Sequence, residues 1–391
     1  MKKIKSLSSV LFILCLVFGL TACGNSGGSS STTASPSSSS SSGTPASSSK
    51  SGLMGGSVQG TALNPAGTVT TFAGTAGASG STDGTGTTAR FFIPIQVTTD
   101  GTNLYVADSS NYVVRKIVIA TAQVTTLAGK AGFSGSTDGT GSAARFSNID
   151  GITIDGTNLY VADSGNNTIR KIVIATGQVT TLAGTAGVTG SADGTGSAAS
   201  FSEPTQITTD GTNLYVTDTN NDTIRKIVIA TGQVTTLAGD AGIVGSADGT
   251  GAAASFDRPE GITTDGTDLF VVDTSNETIR RIVIATGQVT TMAGTAGTQG
   301  ATDGTGTAAT FMLPEGITSD GTNLFVVDTG EDSIRKIVIA TDQVSTIAGG
   351  TSGSVDGTGA AASFSFPEGI TTDGTSLFVA DSANETIRKI Q

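Results

Sequence analysis

The amino-acid sequence predicts an all-β fold, a six-bladed β-propeller, and three observations predict it. A short anchor, Leu-aromatic-Val-x-Asp, occurs six times, ending at Asp108, Asp163, Asp218, Asp273, Asp328 and Asp381. The spacing between those aspartates is 55 residues four times and then 53. Each copy also holds four strand-like segments separated by turn dipeptides, and short strands recurring at a fixed period are the mark of radial repetition. Residues 68–391 would be large for one ordinary core, but blades that pack only on their neighbours remove that difficulty.

The copy around Asp273 gives the elements in order. Ile262 to Asp265 reads as strand a, and Asp265-Gly266 as a hairpin turn. Leu269 to Asp273 is strand b, Ser275-Asn276-Glu277 a loop, and Thr278 to Ala285 strand c. Thr286-Gly287 marks another tight turn before strand d, Gln288 to Ala293. Strands b and c are apolar at most positions instead of alternating, as expected when both sheet faces are covered. Four antiparallel strands per blade follow.

The ends predict how the ring closes. Strand d occurs six times, beginning at Val69, Val124, Val179, Val234, Val289 and Val344. The first copy precedes every a-b-c set, and the last set ends at Gln391 with no strand d of its own. Val69 to Ala73 is therefore expected to pair with the C-terminal blade, Ile370 to Ile390, and protect an edge that would otherwise be open.

Composition removes several mechanisms. The 391 residues contain no His and no Trp, two Cys and a formal charge of −12. Without His there is no Ser-His-Asp triad, no Cys-His dyad and no His-based zinc site. The acidic balance argues against nucleic acid.

The chain opens on Lys2, Lys3 and Lys5, followed by an apolar run from Val10 to Leu20. That run is too short to span a bilayer but suits an export signal. Leu20-Thr21-Ala22-Cys23-Gly24 resembles the bacterial lipobox, which implies cleavage after residue 22 and lipidation of Cys23. Processing would discard Cys15 and leave 17 Lys and Arg against 32 Asp and Glu, a charge of −15. An acidic protein gains nothing from an anionic bilayer, so membrane attachment is expected through the lipid alone. Gly24 after the Cys implies onward sorting to an outer membrane if the host has one. Residues 23–67 read as a disordered tether, with 15 Ser among the 29 residues from Gly24 to Gly52. The organisation expected is a signal peptide over 1–22, a tether over 23–67 and a propeller over 68–391 in the cell envelope, outside the cytoplasm.

Four motifs carry a family resemblance: the Phe-x-x-Pro-x-Gly-Ile opening, Leu-Tyr-Val-Ala-Asp, Asn-x-x-Ile-Arg-Lys-Ile and Val-Thr-Thr-Leu-Ala-Gly. Together they resemble the NHL repeat in its bacterial form, over nearly everything after the tether. The resemblance implies the propeller and leaves function open, because one scaffold hosts many functions. The animal members that bind RNA use basic faces, which this acidic chain lacks. The amidating lyases of similar fold need His-rich metal sites, which zero His excludes.

Strand order places the d-to-a and b-to-c connections on one face, the top. The a-to-b turns, with Asp100, Asp155, Asp210, Asp265, Asp320 and Asp373 before Gly, and the c-to-d turns lie on the bottom. Residues repeated in every blade read as structural. Asp108 and Arg115, with their equivalents, are expected to form buried Asp-Arg networks. The Asp-Gly-Thr-Gly stretches at Asp83, Asp138, Asp193, Asp248, Asp303 and Asp356 read as turns, with one carboxylate each a poor supply for calcium. Breaks in the repeat are better functional candidates. The opening of strand a reads Ile95, Asp150, Thr205, Glu260, Glu315 and Glu368 around the ring. The b-to-c loops add Asp222, Glu277, Asp332 and Glu385, and blade one departs most, with Phe92, Ile95, Gln96, Tyr112 and Val113. An acidic ring with an apolar edge is expected at the channel mouth.

Two classes of function fit. The first is a non-enzymatic scaffold, expected as a monomer, that holds a protein or glycan on its top face through Ile95, Gln96, Tyr112, Asp150, Glu260, Glu277, Glu315 and Glu368, with no cofactor. The alternative resembles the metal-dependent lactonases, also six-bladed propellers. There Asp150, Glu260, Glu315 and Glu368 would supply ligands to calcium or manganese. No catalytic residue is assigned.

Overall fold

The computed structural model describes residues 62–391, together with the backbone of two short strands, Leu53–Met54 and Ser57–Val58. The leader, Cys23 and most of the expected tether lie outside the described residues. Six antiparallel sheets are arranged as blades, and no α-helix occurs among the described residues. The innermost strands, Pro94–Thr99, Ile149–Ile154, Pro204–Thr209, Pro259–Thr264, Pro314–Ser319 and Pro367–Thr372, run side by side around a central channel. The chain is a six-bladed propeller.

Strand d is observed as expected, Gln288–Ala293 in blade four, and strand b begins one residue early, at Asp268–Asp273. The other two bounds need correction. Strand a begins at Pro259, three residues before Ile262, because Pro259 already pairs with Asp273 and a bulge separates that pair from Ile262 and Val271. Strand c ends at Val283, since the turn after it takes Ile284 and Ala285, with Gly287 donating back to the Val283 carbonyl at 2.8 Å. The loop between b and c is a single 3₁₀ turn, Thr274–Asn276. Each blade also has a fifth strand. In blade one Gly84–Thr85 pairs outside Gln123–Gly129.

The ring closes as the ends predict. Thr68–Gly74 pairs with Thr386–Ile390, Val69 facing Ile390, and Gly357–Thr358 caps it on the outside. The cores lie between blades. Tyr105, Ala107 and Val114 of blade one pack against Phe146, Ile152 and Val161 of blade two, and the same arrangement recurs around the ring.

Each blade is locked by one buried guanidinium. Arg115 is fully buried and bonds Asp108 at 2.8 Å and Asp83 at 2.9 Å. Its guanidinium also lies 5.3 Å from the Phe91 ring centre. Asp108 is satisfied further by the Phe92 amide and the Asn111 side chain. The arginine with its two aspartates recurs in all six blades, and the Asn in all but blade five, where Glu331 stands in its place. The Asp-Gly-Thr-Gly aspartates are therefore more than turn formers, since each ties the fifth strand to the blade's arginine.

At the bottom turns, Asp155 accepts bonds from the Thr157 and Asn158 amides and from the Tyr160 hydroxyl. Tyr105 and Tyr215 act likewise on Asp100 and Asp210. Blades four to six carry Phe270, Phe325 and Phe378 instead, so no phenol reaches Asp265, Asp320 or Asp373. The Asp320 carboxylate is taken by the chain itself: the Leu63 amide donates to it at 2.6 Å, and Asn323 donates to the Leu63 carbonyl at 3.3 Å. Leu63 is buried there. The residues just before the propeller thus lie along its bottom face at blade five.

Candidate functional site at the channel mouth

The innermost strands open at the top, so the residue after each opening proline or Ile149 borders the channel mouth. These residues are Ile95, Asp150, Thr205, Glu260, Glu315 and Glu368, and all are half-buried. The structure brings the four carboxylates predicted there to one mouth. Hydroxyls hold the strand openings in place from the neighbouring blade: Thr219 donates to the Pro259 carbonyl, Thr274 to Pro314, Thr329 to Pro367 and Ser382 to Pro94, at 2.6–2.8 Å.

The carboxylates raise one another's affinity for protons. Burial pushes the Asp150 carboxyl up to about 7, with Glu203 and Glu260 adding to the rise and a hydrogen bond from Ser164 opposing it. Glu315 is pushed well above the usual range, first by burial and then by Glu260 and Glu368, with a contribution from Asp150 across the ring. Glu368 is raised for the same reasons, burial first, then Asp150 and Glu260. Glu260 is raised less, because Arg258 approaches it at 3.4 Å. Glu315 has no hydrogen bond or ion pair among the described residues. Nor do three acidic side chains among the described residues come together in a set that could hold a metal ion. The ring is a diffuse anionic collar.

Below the collar the channel has a polar floor that reading the sequence did not find. Gln96 is buried in the channel, not displayed on the top face, and donates to Gln206 of blade three at 2.7 Å. The equivalent residue of blade two, between them, is Gly151, where a Cβ would meet the Thr205 carbonyl. Gln206 in turn leans on the Asp150 carbonyl. The signal was present: this position is glycine in four blades, Gly151, Gly261, Gly316 and Gly369, and glutamine in two.

The b-to-c loops divide. Asn167, Asp222 and Asp332 sit in the left-handed conformation, and each accepts the amide of the next blade's Glu203, Arg258 or Phe366. They are latches between blades. Tyr112 holds the same backbone conformation and is half-buried at the blade-one end of the arc. Glu277 does not join the collar. It is buried at the junction of blades four and five and accepts from Gln299 at 2.9 Å. The longer Glu side chain folds back onto its neighbour where a shorter Asp would cap an amide.

One half of the mouth is apolar. The residue before each opening proline or Ile149 reads Ile93, Asn148, Glu203, Arg258, Leu313 and Phe366. In three adjoining blades (five, six and one) it is apolar, and Phe92, Leu313 and Phe366 are exposed.

No family model matches the chain. It is 27% identical over 305 residues to human NHL repeat-containing protein 2, which covers 68% of this chain and 42% of that protein. It is 29% identical over 253 residues to the Arabidopsis thaliana chloroplast protein SUPPRESSOR OF QUENCHING 1, covering 60% of this chain and 24% of that one. The chain thus spans less than half the length of these relatives. Among solved structures, a Bacteroides thetaiotaomicron protein of unknown function superimposes with a TM-score of 0.63 at 21% identity, over 83% of this chain and 75% of that one. An auxiliary nutrient binding protein from the same organism gives 0.62 at 19% identity, over 83% and 76%. These likenesses support an NHL-like propeller.

Proposed function

We propose that this NHL-like propeller is a lipid-anchored, extracytoplasmic binding scaffold that holds a protein or glycan at its top face. The observation that carries the reading is the mouth itself. Elsewhere the sixfold carboxylates are used up in blade locks and bottom turns. At the mouth the repeat breaks, and four carboxylates and an apolar arc are left at the channel opening. Lipidation of Cys23 rests on the leader and the Leu-Thr-Ala-Cys spacing. Leu63 meets the propeller on the bottom of blade five, and Ser57–Val58 before it lies against the innermost strands of blades one and six. The same fold serves a protein named for nutrient binding, a use compatible with this one.

A lactonase-like reading needs clustered ligands, and the collar's carboxylates do not converge on one point. Two measurements test the proposal. Labelled palmitate should enter the protein and be lost in Cys23→Ala. Immobilised protein should retain a glycan or an envelope protein, and the retention should fall in a variant carrying Asp150→Asn and Glu368→Gln. Lactone turnover that requires manganese and disappears in Glu260→Gln would overturn the scaffold reading.

A further inference from the structure

Six non-glycine residues at the mouth have φ between 46° and 53°: Ile93, Asn148, Glu203, Arg258, Leu313 and Phe366. That left-handed region suits Gly and tolerates Asn, and a branched side chain is its poorest tenant. Stability alone would favour the choice made in blade two, Asn148. Blades five, six and one instead hold Leu313, Phe366 and Ile93, at a strain of about 1–2 kcal/mol each. Leu313 remains 44% exposed, Phe366 37% and the adjoining Phe92 40%. Leu313 and Phe366 are both strained and exposed, beside a strained, half-buried Ile93 and an exposed Phe92, so the fold does not explain them. Contiguous exposed apolar surface of this kind marks interaction sites.

The arc also has a charged border. Glu315 and Glu368 follow Leu313 and Phe366 by two residues, across one proline, and the cation that acts on Glu315, Arg258, does so from a distance while paired with Glu260. We infer that the arc docks a polypeptide segment with a Lys or Arg flanked by apolar residues, the cation facing Glu315 and Glu368 and the flanks covering Phe92, Ile93, Leu313 and Phe366. The inference rests on the scaffold reading and names the partner's class. Charge complementarity selects this occupant. A neutral glycan could stack on Phe92 and Phe366 but would leave the carboxylates uncompensated. A divalent cation would make no use of the arc, and an anionic bilayer would be repelled by a chain of charge −12.

The test uses the full chain and three nonapeptide libraries with randomised flanks and Lys, Ser or Glu fixed at the centre. Retention of the Lys library alone, enriched in Leu, Ile and Phe at the flanks, is expected. The consensus peptide is then titrated by fluorescence anisotropy. I93N/L313N/F366N should weaken it at least tenfold with an unchanged or higher Tm, since each site receives the residue blade two already holds. E315Q/E368Q should also weaken it at least tenfold and abolish its salt dependence. Equal retention of the three libraries, or full affinity in either variant, overturns the inference. A neutral oligosaccharide bound at the mouth while all libraries fail would overturn this inference and leave the scaffold standing. Failure of both ligand classes would remove the scaffold as well.

Discussion

Two kinds of charged residue serve opposite ends in this molecule. Arg280 is wholly buried, with Asp273 at 2.6 Å, Asp248 at 2.9 Å and two backbone carbonyls around it. Removing it strands the Asp273 carboxylate in the interior. Arg280→Ala should lower stability by about 3–5 kcal/mol, read from the midpoint of urea unfolding. Glu315 is the reverse case, a carboxylate held near Glu260 and Glu368 whose repulsion outweighs the pull of Arg258. Glu315→Gln removes that repulsion and should raise stability at pH 8 by about 1 kcal/mol. A loss there would mean that Glu315 is tied into the fold after all.

Single elements show where a sequence speaks and where it is silent. Strands b and d and the closing strand were legible, because turn dipeptides and a repeated Val-Thr-Thr pattern bracket them. The start of strand a was not, because Pro259-Glu260-Gly261 has the look of a loop and pairs only across a bulge. Gly84–Thr85 is only two residues long, with a glycine offsetting the threonine, and is held by the tie from Asp83 to Arg115. The four mouth carboxylates were visible as breaks in the repeat. The Gln96–Gln206 bridge was not, since it spans two blades over a glycine. Even the Tyr-to-Phe change at the bottom has a meaning that emerges only in the folded chain: Phe325 leaves Asp320 free to take the Leu63 amide. Phe325→Tyr should compete for that carboxylate and release the segment, seen as faster amide hydrogen exchange at Leu63. Unchanged protection there would show that apolar packing of Leu63 suffices.

Over the whole molecule, the shifted carboxylates set a pH optimum. Burial raises Asp108, Asp163, Asp273, Asp328 and Asp381 to about 6, against the pull of their arginines, and raises Asp150 to about 7. A folded-state pKa above the unfolded value means protons are taken up on folding, so the stability they confer is complete below about 4 and is lost as pH rises through 6 to 7. Asp155 opposes this. Burial would raise it, yet bonds from the Asn158 side chain and the Thr157 and Asn158 amides bring it down to about 2. Its contribution is present above about 4 and fades as pH falls toward 2. Thermal unfolding should therefore peak near pH 4, with Tm lower at pH 6 and several degrees lower at pH 8. A Tm that rises steadily from pH 5 to 8 would contradict this assignment.

The pairing of Thr68–Gly74 with Thr386–Ile390 also puts the protein's making in a particular order. The strand synthesised ahead of every complete blade finds its partner only when the last one emerges. Until then the growing chain has two raw edges, one at each end of an unclosed arc, separated by nearly the whole sequence. Such distant pairing is slow to find. The ring should accordingly close only after Thr386–Ile390 has emerged, however early the middle blades take shape.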